Sequence, residues 1–127
     1  FYNRALPLYE QIGDRLGQSG LLMSLGDMLV GQQKWAEAIP YYEKALVMAR
    51  AISARLSVAN ILVNLGRARF ELGDTESGVR DMREAAVLFA AVQNPRWSLI
   101  AYSRLADMLD RMGRHDEAEQ VRKEHLS

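Results

Sequence analysis

The chain has 127 residues, of which 49% are hydrophobic and 25% charged, a balance suited to one folded domain with a sizeable core and not to a disordered segment. Sixteen basic residues offset sixteen acidic ones, so no bulk field draws the chain to DNA, RNA or an anionic membrane. The absence of cysteine removes disulfides, thiolate chemistry and cysteine zinc sites together and suits a reducing, cytoplasmic setting.

The apolar residues step by three and four along the whole chain, and strand alternation is absent. The spacing predicts seven helices, roughly 1–13, 15–31, 34–53, 55–72, 75–92, 95–112 and 115–126. The first carries Pro7, which predicts a frayed or bent start, and ends at Gly13-Asp14, read as a stop-then-start signal within a turn that also uses Gly17 and Gly20. The second carries the stripe Leu22, Leu25 and Leu29. The third runs through Trp35, Ala38, Tyr42, Ala45, Leu46, Ala49 and Ile52, with an interior Pro40 expected to bend it. The fourth repeats the earlier stripe as Leu62, Leu65 and Leu72. Gly73-Asp74 closes it, and Gly113-Arg114 closes the sixth, each glycine being able to take left-handed geometry at a helix end. Between the fifth and sixth, Asn94-Pro95 supplies a capping side chain and a first-turn proline, with Trp97 packing at the helix start. Polar residues interrupt every apolar run well short of the roughly 18 needed to span a membrane.

A longer period lies over the helical one. Leu25-Gly26, Leu65-Gly66 and Leu105-Ala106 recur 40 residues apart, and Tyr42-Glu43-Lys44-Ala45-Leu46 lies over Tyr2-Asn3-Arg4-Ala5-Leu6 and over Met82-Arg83-Glu84-Ala85-Ala86. A unit unable to bury its apolar face alone stacks on copies of itself and leaves an open surface in place of a closed pocket. Residues 1–18 match the second half of a repeat and a turn, followed by repeats at 19–58, 59–98 and 99–127, the last degenerate or truncated. The expected object is a single domain over 1–127, a piece of a larger protein.

The residues Leu22, Leu25, Gly26, Leu29, Trp35, Ala38, Tyr42 and Ala45 resemble the signature of the tetratricopeptide repeat family, and Leu62, Leu65, Gly66, Gly73, Gly78 and Ala85 repeat it. Arg69 departs where the family places an aromatic, and its stem is expected to snorkel out of the core. Arg122 and His125 depart where an aromatic and a small residue belong, which reads as a polar cap. The family repeat is normally about 34 residues. The longer interval resembles the variants of kinesin light chain and of bacterial signalling ATPases and transcription activators. The resemblance implies an all-α fold, a right-handed superhelical solenoid of antiparallel helix pairs, whose first helices line a concave groove for a peptide or protein.

Carried over position by position, the resemblance puts Met23, Ser24, Asp27 and Val30, then Val63, Asn64, Arg67 and Phe70, then Ser103, Arg104, Asp107 and Asp110 on that groove. Met23, Val30, Val63 and Phe70 form an apolar strip, and Asn64 and Arg104 offer donors. Met23 and Phe70 could equally pack beneath the superhelix. The triplet Asp27, Arg67 and Asp107 reads as a solvated ion-pair ladder between stacked helices. The carboxylate clamp of chaperone-binding relatives is rejected, because Met23, Asp27 and Ile100 stand where Lys, Asn and Lys are required.

Catalytic signatures are missing. His115 and His125 are ten residues apart near the chain end and cannot share a metal, and no P-loop, HExxH or Ser-His-Asp arrangement occurs. The expected function is a protein-protein interaction scaffold in a larger regulatory protein, with no enzyme activity, cofactor or metal, and with a peptide or protein partner and neither nucleic acid nor membrane. The alternative is a self-association module stacking through exposed repeat ends at Tyr2, Ala5 and Leu6.

Overall fold

The computed structural model describes residues 7–126, with side chains described from residue 15 onward. Six α-helices follow one another: α1 Pro7–Gly31, α2 Trp35–Ala51, α3 Arg55–Glu71, α4 Thr75–Ala91, α5 Pro95–Arg111 and α6 His115–Val121, closed by a π-helical turn, Arg122–Leu126. Among the described residues there is no strand. Each helix packs mainly on its neighbours in sequence, and α1 also touches α3, the connectivity of a one-dimensional array.

The 40-residue interval has a simple cause. Each of α2, α3, α4 and α5 has 17 residues, and each is followed by the same three-residue turn. One residue per turn has positive φ: Gln33, Ser53, Gly73, Gln93 and Gly113, spaced by 20. The residue after it donates its N–H five residues back, as Asp74 does to the carbonyl of Arg69 at 2.9 Å and Arg114 to that of Leu109 at 2.8 Å. This is the Schellman closure, and two such helix-turn units make one repeat. Left-handed geometry costs a side-chain-bearing residue about 1–2 kcal/mol that glycine does not incur. Gln93→Gly is therefore expected to stabilise the fold by about 1 kcal/mol. A urea midpoint that stays the same or falls would show that the turn is not strained.

Gly13-Asp14 departs from this pattern. The sequence expects a turn there and two helices before Trp35, whereas α1 runs uninterrupted from Pro7 to Gly31. Glycine permits a left-handed stop without imposing one, and an interior glycine costs a helix only about 1 kcal/mol. Gly13, Gly17 and Gly20 are helical, so no interhelical turn forms at them. The start before Pro7, and Tyr2, Ala5 and Leu6 with it, lie outside the described residues. At Pro40 α2 is unbroken. Pro40 and Ala36, whose carbonyl loses its helical partner there, both lie at exposed positions open to solvent.

The core is a continuous apolar cluster along the array that includes Ala38, Tyr42, Ala45, Leu62, Leu65, Met82, Phe89, Leu105 and Leu109. Small residues set the approach of the paired helices. A Cβ on Gly78 would lie 2.7 Å from the carbonyl oxygen of Gly66, and one on Gly66 would lie 2.9 Å from that of Gly78. At the equivalent contact in the first repeat, a Cβ on Gly26 would meet the ring of Tyr42 at 2.7 Å.

Arg69 does not snorkel out. Its guanidinium bridges Asp81 of α4 at 2.7 Å and Glu43 of α2 at 2.8 Å, and the Asp81 side chain is almost wholly buried. Burial raises the Asp81 carboxyl above its ordinary value even though the Arg69 hydrogen bond pulls the other way. The equivalent positions are Leu29 with Tyr41 and Leu109 with Val121, so the middle repeat replaces an apolar pair by an ion pair. At the far end Arg122 joins Asp110, Asp107 and Glu119, and His125 stacks on Tyr102 with centroids 3.7 Å apart. These contacts fold the last turn back onto α5.

Candidate functional site

The residues expected on the groove come from successive turns of α1, α3 and α5, one turn apart on a single face of each helix. On this surface two depressions lie side by side. One, of about 470 Å³, is formed between α1 and α3 by Asp27, Val30, Gly31, Gln33, Trp35, Asn64 and Arg67. The other, of about 170 Å³, is formed between α3 and α5 by Arg67, Phe70, Glu71, Met82, Arg104, Asp107, Met108 and Arg111. Arg67 borders both.

Of the sequence-derived residues, Asp27, Val30, Asn64, Arg67, Phe70, Arg104 and Asp107 line these depressions. Met23, Ser24, Val63, Ser103 and Asp110 do not. Met23 and Val63 are half-buried and pack against the core, and Ser103 is exposed. Phe70 belongs to the core as well as to the depression, being 6% exposed.

The ion-pair ladder expected of Asp27, Arg67 and Asp107 does not form. Asp27 accepts hydrogen bonds from the Tyr42 hydroxyl and, at 3.0 Å, from the Asn64 side-chain amide. Arg67 lies over the Trp35 ring, 5.4 Å from its centroid, in a cation–π contact. Asp107 pairs with Arg122. Asp27 does reach the next repeat, but its partner there is Asn64 and not Arg67, while Arg67 is held over Trp35 and Asp107 turns to Arg122. The ladder rung lies one turn further along, where Arg111 of α5 bonds Glu71 of α3 at 2.9 Å. Those two residues are also separated by the repeat interval, and Arg111 spreads over the Phe70 ring at 4.7 Å. Gly31 occupies the same position in α1, so the rung has no counterpart on Glu71's other side. The 40-residue register alone would have found this pair.

A carboxylate can only accept, so its contact with Asn64 fixes which end of that amide faces Asp27: the nitrogen. The Asn64 carbonyl oxygen and second N–H remain for a ligand. Tyr42 anchors the arrangement from below. Its hydroxyl stays protonated because burial, followed by the Asp27 hydrogen bond, raises the phenol above its ordinary value.

The sequence puts Trp35 on the apolar stripe of its helix and does not place Met82, Met108 or Arg111 on this surface. Met82 reaches it from α4, the second helix of its repeat, by projecting between α3 and α5, which periodicity within one helix does not reveal. Elsewhere, Asn94 accepts from the Trp97 backbone N–H at 3.4 Å and Trp97 stacks on Phe89, a packing arrangement at the start of α5. Among the described residues no helix is long and apolar enough to cross a membrane.

A register of 40 residues made of helix-turn pairs, with an open surface along the first helices, defines an α-solenoid of stacked helical hairpins. The tetratricopeptide repeat profile matches residues 17–77 and again 57–127, two spans whose starts are offset by that register, and the chain belongs to this family. Its repeats generally mediate protein–protein interaction and are typically not catalytic. The regulatory protein AfsR of Streptomyces griseus is 29% identical over 91 residues, covering 72% of this chain and 9% of AfsR.

Proposed function

We propose that this array holds a peptide segment of a partner protein along the face of α1, α3 and α5, as the interaction region of a regulatory protein. The observation that carries this reading is the pair of adjoining depressions, which share Arg67 and together present apolar floor, amide and guanidinium groups on one continuous surface. Both depressions are open, and neither gathers the convergent ionisable groups of an acid–base site. The similarity to a regulatory protein supports the larger context.

Phage-displayed peptides selected on the purified chain test the reading. Asn64→Ala and Arg104→Ala alter side chains at the surface and leave the core untouched. The selected peptides are expected to bind each variant roughly tenfold more weakly, the effect of losing one hydrogen bond to a charged or well-oriented group. Far-UV circular dichroism is expected to be unchanged. Undiminished affinity for both variants would place the binding surface elsewhere.

A further inference from the structure

We infer that the depression between α3 and α5 selects an internal peptide segment in which an apolar side chain stands beside a carboxylate side chain, an inference that rests on the groove reading above. Most charges along this face are already paired. Asp27 is taken by Tyr42 and Asn64 and Glu71 by Arg111, while Asp107, Asp110 and Glu119 share Arg122. Among the described residues, Arg67 and Arg104 have no carboxylate within ion-pair distance. Arg67 rests on an aromatic face, which leaves its N–H groups free to bond an anion. The depression is lined by Arg67, Arg104 and Arg111 against Glu71 and Asp107, so its lining carries one cation in excess, with Arg67 and Arg104 outside the ion pairs.

Between these arginines the floor is apolar: Phe70, Met82 and Met108 are 6%, 1% and 7% exposed. The depression's volume of about 170 Å³ is below the roughly 300–1,000 Å³ typical of small-molecule sites. One side chain fits, and a cofactor does not. Methionines on two sides make a floor that adapts to aliphatic or aromatic shapes. Guanidinium groups on the rim bind carboxylates by paired N–H donors, which ammonium groups cannot do. The carboxylate is assigned to a side chain and not to a chain terminus because the surface continues past Arg67 into the neighbouring depression. There the free edge of Asn64 can take the next peptide unit.

Fluorescence anisotropy with labelled, acetylated and amidated peptides having Glu-Leu-Glu, Gln-Leu-Gln or Lys-Leu-Lys cores in a Gly-Ser frame tests the inference. The Glu core is expected to bind best, and the Gln core roughly tenfold more weakly for loss of a charge-assisted bond. In Arg104→Glu the order is expected to reverse in favour of the Lys core, with unchanged circular dichroism. Equal binding of the Glu and Gln cores, or preference for Lys by the unmodified chain, would overturn the charge preference. If those peptides still weaken on Asn64→Ala, the groove reading survives that outcome. Binding confined to a free-acid version would overturn the internal-segment assignment. Failure of all the cores, while phage-selected peptides bind through Asn64, would overturn this inference and leave the groove reading intact.

Discussion

Replacing Arg69 by leucine is expected to cost about 3 kcal/mol of unfolding free energy at neutral pH, the low end for breaking a buried ion pair. The cost falls on the partner. Asp81 keeps its carboxylate under α3 and α4 with 5% of its side chain exposed, and only Arg80, 3.7 Å away and mostly in solvent, remains to face it. Glu84 on the same helix repels it. Because its native value already lies above the unfolded one, this group contributes stability that is fully present below the unfolded value and lost as pH rises through the native value. Removing Arg69 lifts the native value further and widens that window. The deficit of the variant relative to the unmodified chain should therefore shrink in mildly acidic urea titrations. The chain itself supplies the rescue, since Leu109 and Val121 occupy the equivalent positions in the next repeat. Arg69→Leu combined with Asp81→Val is expected to regain most of the loss, because a well-packed apolar pair can match a buried ion pair. A single variant as stable as the original, or a double variant worse than the single, would show that Asp81 is not held by Arg69.

That pair also marks where sequence reasoning stops. The register brought Gly26, Gly66 and Ala106 onto one position and helix punctuation put turns at Gly73 and Gly113, because small size and positive φ are demands that the backbone makes on residue type. The family resemblance, carried over position by position, put Asn64, Arg67 and Arg104 on one face, where they line the two depressions. None of these located the ion pairs. Arg69 read as a misfit aromatic position because its partner lies on another helix, 12 residues away, and Tyr41 and Val121 give no hint of an acid there. The supposed Asp27–Arg67–Asp107 ladder had the right spacing and the wrong reach: stacking brings equivalent Cα positions near one another, but side-chain length and nearer competitors decide the bond. Gly13 shows the converse error. Glycine licenses a turn, and only the packing on either side makes one.

Tyr42→Ala is expected to cost roughly 3–5 kcal/mol, the range for deleting a buried aromatic ring, because Tyr42 is fully buried and lies against the bare face of Gly26. Gly26 has no side chain to move into the space left by the ring. Thermal unfolding of the variant should show a lowered midpoint, and an unchanged midpoint would mean that the helices close over the cavity. Tyr42→Phe separates the two roles of this residue. The ring keeps its packing, and losing the hydroxyl should cost only about 1 kcal/mol because the exposed Asp27 can turn to water. What changes is the groove: Asp27 loses its anchor, and the Asn64 amide loses the fixed orientation it takes from Asp27. A core aromatic would then set how one groove amide faces a ligand. In Tyr42→Phe the affinity of groove-selected peptides should fall by more than the stability does, and a proportional loss of both would reduce Tyr42 to packing alone.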